Sequence, residues 1–296
     1  MEPLLIKLIR YRSHDDVTFS MGWFCFFVTL QSALFFTAGF FLLRWLAPDV
    51  LAVQISAPWY SYILCFAALH LFNGLFEFFF HRYVLHSVFW ESLKSFREKH
   101  TEHHRLTHVR ELQTSQATDE QVPVRNKYPI LTPEQIEHSA FPGYALLAFW
   151  ALFSVILIPL QIALPGLPLL VTGYLGVVFS FSLYEIKHAV EHMDYEKHWR
   201  RRVENSKFFR EWYGFHLMHH SRIRVNQAIG GVFCLPIWDW VFGTYFVPDE
   251  LPLPEQTVSP ASQIPPAPRQ PIRWLDRVVD ACEQRLKDRR KAAALK

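Results

Sequence analysis

The sequence predicts an all-α integral membrane protein, and three observations carry that prediction. Hydrophobic residues make up 51% of the 296-residue chain, with 27 Phe and 10 Trp, more aromatic mass than a soluble core of this size holds. Uncharged stretches long enough to cross a bilayer occur at about residues 19–43, 57–80, 141–163 and 167–184. Lys and Arg gather in the segments between them.

The first stretch, Phe19 to Leu43, carries no charge. At about 1.5 Å per helical residue it is long enough to span a hydrocarbon layer of roughly 30 Å. Pro48 and Pro58 flank a short connection, after which Ala57 to Phe76 is uncharged and long enough to return. Phe141 to Tyr184 is uncharged throughout and broken at Leu164-Pro165-Gly166-Leu167-Pro168, which reads as a tight turn between two further crossings. The expected architecture is four transmembrane helices in two hairpins, with a helical cap formed by the polar segments.

Charge asymmetry gives an expected orientation. Residues 81–138 carry eight Lys or Arg, residues 185–247 carry nine, and the N-terminal arm adds Lys7, Arg10 and Arg12, whereas the connection after the first span holds only Arg44. By the positive-inside rule both termini and the polar segments face the cytoplasm. A net charge of +3, with basic residues beside apolar segments, argues for lipid headgroups and against nucleic acid. Cys25, Cys65, Cys234 and Cys282 are too scattered for a thiolate site or a disulfide framework. Charges before the first span, and that span's length, argue against a cleavable signal peptide.

Residues 1–247 read as one membrane domain. Residues 248–271 hold eight prolines and little apolar material, the composition of a disordered or extended linker. In 272–296, Trp274, Leu275, Val278, Val279, Cys282 and Leu286 recur at helical spacing among Lys and Arg. That pattern is an amphipathic basic helix, suited to a membrane surface or a partner.

Ten of the fifteen histidines fall in four clusters beside the spans. His100/His103/His104 and His216/His219/His220 have i, i+3, i+4 spacing and would each present three imidazoles to one side of a helix; His188 and His192 are one turn apart. His81 and His86 are five apart, about 140° around a continuous α-helix. They fit one site only if the helix distorts there, or each serves a different metal. A lone membrane-margin histidine is usually a hydrogen-bonding residue. Ten together would leave many buried nitrogens poorly satisfied, whereas two metals with four or five nitrogens each would use them. Imidazole suits iron, zinc and copper and excludes magnesium and calcium. Ligands beside a bilayer suggest a lipid substrate, whose unactivated C–H bonds call for redox-active iron with O2 and are beyond zinc.

His81-Arg82-Tyr83-Val84-Leu85-His86, His100 to His104, Tyr184-Glu185-Ile186-Lys187-His188 with His192, and His216 to His220 resemble the histidine boxes of the fatty acid hydroxylase/sterol desaturase superfamily. The resemblance covers about residues 60–247, including Trp238-Asp239-Trp240-Val241-Phe242-Gly243-Thr244-Tyr245. It implies a membrane di-iron oxygenase with a cytosolic metal-bearing cap, using O2 and electrons from a reductase or small carrier protein. Carried over box by box, the ligands are His81, His86, His100, His103, His104, His188, His192, His216, His219 and His220. Tyr184-Glu185 stands where fatty acid 2-hydroxylase-like members have Tyr-Asp, and Glu185 keeps the acid with one more methylene; a role orienting an imidazole follows. The short segment before the first span leaves no room for a haem electron-carrier domain, so a separate electron donor is expected.

His70, Asn73, Glu77 and His81 form one polar stripe, which in lipid must face protein or a cavity. Glu77, one turn before His81, reads as support for that imidazole, and His70 as a helix-to-helix hydrogen bond. The run Lys197 to Arg202 is a solvated surface or a docking patch for an acidic electron donor. Val225 to Trp240 is cap packing or part of a substrate mouth, and Asp239 a helix cap or a residue supporting the site. His108 follows the second box by one turn, and His14, His138 and His198 lack partners at ligand spacing; none of the four is counted among the ligands.

The expected function is O2-dependent hydroxylation of a fatty acyl, sterol-like or polar-lipid substrate. Desaturation by the same chemistry is one alternative, and a zinc-dependent membrane hydrolase, which needs no oxygen, is another. A transporter or sensor would place its histidines deep within the spans; here they sit at the margins.

Overall fold

The computed structural model describes residues 20–88, 93–112 and 121–294. The N-terminal arm with Lys7, Arg10, Arg12 and His14, and Phe19 at the head of the first expected span, lie outside the described residues. In chain order the elements are α1 (Met21–Leu46), α2 (Pro48–Ile55), α3 (Trp59–Phe80), a π-helical turn (His81–Leu85), α4 (Lys94–Leu106), β1 (Val109–Glu111), β2 (Val122–Asn126) and α5 (Pro133–Ser139). There follow α6 (Ala145–Ala163), α7 (Leu169–Glu191), a second π-helical turn (Tyr195–Trp199), α8 (Arg200–Asn205), α9 (Lys207–Ser221), α10 (Ile237–Phe242), β3 (Thr257–Val258), a 3-10 turn (Pro260–Gln263) and α11 (Gln270–Ala294).

Among the described residues, four helices are long and apolar enough to cross a membrane: Met21–Leu46, Trp59–Leu85, Ala145–Ala163 and Leu169–Glu191. The last extends seven residues past the expected end at Tyr184. A charge-free stretch marks where lipid must end; the helix itself runs on through Glu185, Lys187 and His188.

The chain divides into two compact units. Of the described residues, one comprises 20–76, 140–187 and 230–235. Its core joins Cys65 and Leu69 of α3 to Leu146, Phe153 and Leu157 of α6 and Val177 and Phe181 of α7. Trp45, Trp59, Val155 and Ile162 are exposed, an apolar outer surface that suits lipid rather than water. Close packing needs glycine at two points. A Cβ on Gly39 would lie 1.7 Å from the Trp150 indole, and one on Gly173 would lie 2.5 Å from Leu157. Polar groups pair internally, as lipid requires: Ser32 and Ser182 share a 2.7 Å hydrogen bond. Gln161 ties the Leu164–Pro168 turn by donating to the Leu167 carbonyl, while its oxygen accepts from Leu169 and Leu170 N–H.

The other unit comprises the described residues within 77–139, 188–229 and 236–294. Tyr128, Trp199, Tyr213, Leu217, Met218 and Val258 anchor its core. Here the structure departs from an all-α expectation, because β1, β2 and β3 form a small antiparallel sheet with Val109 opposite Asn126 and Val122 opposite Val258. Strands this short leave no periodicity to read.

The Pro-rich stretch is also not a free linker. Leu251, Leu253 and Val258 are buried, and Asn126, Arg210 and Gln263 donate to the carbonyls of Pro252, Pro248 and Glu250. Proline forbids helix and removes donors but leaves carbonyls to be captured, and a few spaced apolar residues suffice to pin such a chain. The tail, read as amphipathic, forms α11; its Ile272 is buried and its Asp276 pairs bidentately with the buried Arg82 guanidinium at 2.9 and 2.6 Å. Trp274 and Val278, one turn apart, remain exposed. The four cysteines are free thiols.

Candidate metal centre

The π-helical turn at the end of α3 resolves the odd spacing of the first histidine pair. Its backbone bonds run i to i+5, so residues five apart share a face. His81 and His86 therefore converge, with ring centroids 5.0 Å apart. Of the two readings the spacing left open, the helix distorts and one group holds both rings.

Ten imidazoles meet in two groups of five, each with its nearest nitrogens all within 4.8 Å of one another. The first group is His81, His86, His100, His104 and His219; the second is His103, His188, His192, His216 and His220. The triplets on α4 and α9 do not each face one way, as i, i+3, i+4 spacing suggested. Each splits: His100 and His104 join the first group and His103 the second, while His216 and His220 join the second and His219 the first. The i+3 residue sits about 60° around the helix from residue i and about 100° from residue i+4, enough to serve an adjoining site. The groups adjoin, since the His104 and His220 rings stack at 4.2 Å.

Backbone and hydroxyl acceptors fix the tautomers. A carbonyl can only accept, so His81 Nδ1–H donates to Gln227 O at 2.6 Å and His219 Nδ1–H to Val225 O at 2.9 Å. In the second group His192 Nδ1–H donates to Tyr128 O at 2.7 Å and His220 Nδ1–H to Thr107 O at 3.1 Å. Ser139 gives its own proton to Gln135 O, so it accepts from His103 Nδ1 at 3.0 Å. Five imidazoles thus turn an unprotonated Nε2 inward.

The first group then has no consistent neutral hydrogen-bond assignment. His81 Nε2 lies 3.0 Å from His100 Nε2, and His219 Nε2 lies 3.0 Å from His86 Nε2, so both His100 and His86 would have to carry the proton there. Those two nitrogens are themselves 3.2 Å apart, a contact that tolerates only one proton. A cation among the lone pairs removes the conflict. In the second group one His216 proton would have to serve both His192 at 3.1 Å and His220 at 3.2 Å. Among the described residues the buried Nδ1 atoms of His104, in the first group, and of His216, in the second, have no hydrogen-bond partner.

Burial holds these rings neutral, as metal ligands must be. It pushes His86, His100, His103, His104, His216, His219 and His220 well below the usual imidazole range, reinforced by neighbouring imidazoles, and it takes His192 down to about 3. Ten uncharged imidazoles, all-nitrogen and without thiolate, fit a borderline transition metal.

The acceptors that orient these rings were not foreseen. Gln227, Val225, Tyr128 and Thr107 act through main-chain oxygens, which any residue type supplies; only Thr107, one turn after His103 and bonded back to its carbonyl at 2.6 Å, left a trace in the sequence. The Tyr128 ring also packs on His192 at 4.3 Å. Of the residues expected to support the ligands, Glu77 is half-buried one turn before His81. Glu185 is buried and accepts the Phe141 N–H at 3.2 Å, and the Tyr184 ring packs on Phe141. The basic run is partly neutralised, because Arg200 pairs with Glu196 and Glu204 while Trp199 is buried in the core. Compared with known proteins, the chain matches no family model, no curated protein and no solved structure.

Proposed function

We propose that the protein is an O2-dependent di-iron lipid hydroxylase of the membrane, the function its histidine boxes resemble. The observation that carries the reading is the first group, whose inward nitrogens on His81, His86, His100 and His219 cannot all be satisfied by protons. Five imidazoles also exceed the four ligands zinc ordinarily takes. Iron so held supplies the one-electron and O2 chemistry that an unactivated C–H bond demands. The chain's part is to hold two metals side by side through His81, His86, His100, His104 and His219 and through His103, His188, His192, His216 and His220. Carbonyl oxygens lock the rings, and burial keeps water and protons away.

Four helices long and apolar enough to cross a membrane support a lipid as the substrate. In this reading they form two hairpins with the metal-bearing unit as a cytoplasmic cap, both termini are cytoplasmic, and electrons come from a separate reductase or carrier protein. Glu77, Tyr184 and Glu185 support the ligands. Desaturation shares the first hydrogen abstraction and differs in its product. The test is lipid analysis of cells with and without the chain under isotopically labelled O2. A lipid carrying one labelled oxygen is expected; an alkene without added oxygen would make it a desaturase, and turnover with zinc and no O2 would make it a hydrolase.

A further inference from the structure

Asp239 is fully buried on α10 and binds two successive peptide N–H groups of the loop after α9. Its Oδ2 accepts the Ala228 N–H at 2.8 Å, and its Oδ1 accepts the Gln227 N–H at 2.8 Å and the Thr244 hydroxyl at 2.6 Å. The carbonyl of the Gln227–Ala228 peptide is the one that accepts His81 Nδ1–H, at 2.6 Å. One peptide therefore links a carboxylate at its N–H end to a ligand-type imidazole at its C=O end.

We propose that Asp239 is a positioning residue that acts through this peptide to raise the basicity of His81 and to tighten metal binding by the first histidine group selectively. A carboxylate accepting from a peptide N–H draws the proton toward itself and leaves more negative charge on the carbonyl oxygen, because hydrogen bonds in a chain polarise one another. A stronger acceptor at Nδ1–H makes Nε2 a better donor to a metal, as a directly bonded carboxylate does for metal-bound histidines.

The same fold supplies its own controls. His219, in the same group, bonds the Val225 carbonyl, whose peptide N–H, that of Asn226, ends on the neutral Thr244 carbonyl at 3.0 Å. His192 bonds the Tyr128 carbonyl, and the next residue is Pro129, so that peptide has no N–H to polarise. Among these three, a carboxylate stands behind His81 alone. The inference rests on the histidines being ligands, and needs neither iron nor oxygen chemistry.

The experiment is zinc binding to the full-length protein in detergent, with competition by a chelator, for wild type, Asp239→Asn and Thr244→Val. Wild type is expected to bind two zinc ions. Asp239→Asn is expected to bind one of them about 10–100-fold more weakly, the range for lost partners of ligating histidines, with the other unchanged. Thr244→Val keeps both peptide bonds to the carboxylate and is expected to stay within about threefold of wild type, a discrimination on the order of the hydroxyl's single bond. Equal weakening in both variants would make Asp239 only a staple for the loop and overturn the relay, as would unchanged affinity in Asp239→Asn. Wild type binding no zinc would overturn the ligand reading itself, a separate outcome. If Asp239→Asn does not fold, nuclear magnetic resonance of zinc-loaded wild type decides: the His81 Nδ1 proton is expected farther downfield than those of His192 and His219, and coincidence with theirs would overturn the proposal.

Discussion

His70 and His81 are both fully buried imidazoles on the same apolar stretch of chain, one in each compact unit, and they differ in what meets their second nitrogen. His70 Nε2 accepts the Phe233 N–H at 3.0 Å, so its Nδ1 carries the proton and donates to Ser180 at 2.9 Å. Every polar group of that ring is matched. His81 donates from Nδ1 to Gln227 and presents its Nε2 lone pair to other imidazoles. Burial alone therefore does not mark a ligand; an unmatched inward lone pair does. His70 also holds a turn at cost, since Phe233 and Cys234 adopt positive φ of 52° and 66° with no glycine to ease it.

The sharpest way to break this contrast is to remove one imidazole from each side. His219→Ala should lose the metal of the first group and reduce turnover on the order of 10³-fold or more, because the reaction depends on the metal it helps hold. Activity assays and metal content on the same preparation check it. His70→Leu should keep both metals while costing about 1–3 kcal/mol of stability, from the Phe233 N–H left unsatisfied. A denaturation midpoint alongside metal content checks that; a lost metal would erase the distinction between the two rings.

Acid should act on one side of the comparison. The buried imidazoles outside the spans have folded pKa values below the unfolded value of about 6.5, to about 3 for His192. The unfolded chain thus binds more protons between those limits, so the stability these rings contribute is full above about pH 6.5 and is lost as pH falls toward 3. Metal retention should fall over the same window, since protons and metal compete for the same lone pairs. Equilibrium dialysis against buffers of decreasing pH measures it. The smallest effect is expected for Ser180→Ala, which removes one acceptor from His70 and should cost about 1 kcal/mol without changing metal content.

Much of this was legible in the sequence, for physical reasons. Charge-free runs betray helices that can cross a membrane, because lipid tolerates no unpaired charge, and imidazole clusters at helical spacing betray groups that could hold a metal ion. His70 read correctly as a helix-to-helix hydrogen bond, its partner Ser180 lying on α7. Three things were not legible. The π-helical turn that unites His81 with His86 leaves no compositional mark. The division of each triplet between two groups depends on where the facing helices lie. The acceptors at Gln227, Val225 and Tyr128 are main-chain atoms, invisible to residue type. The Pro-rich stretch misled for a related reason: proline reports what a backbone cannot do, and the burial of Leu251, Leu253 and Val258 depended on a sheet too short to foresee.

The central claim, that the two groups of five imidazoles hold a pair of redox metals, is tested most directly by elemental analysis of wild-type protein purified anaerobically from iron-replete cells. Two iron ions per chain are predicted. Protein that is folded and active but carries no transition metal, or that carries zinc and turns over without oxygen, would contradict it.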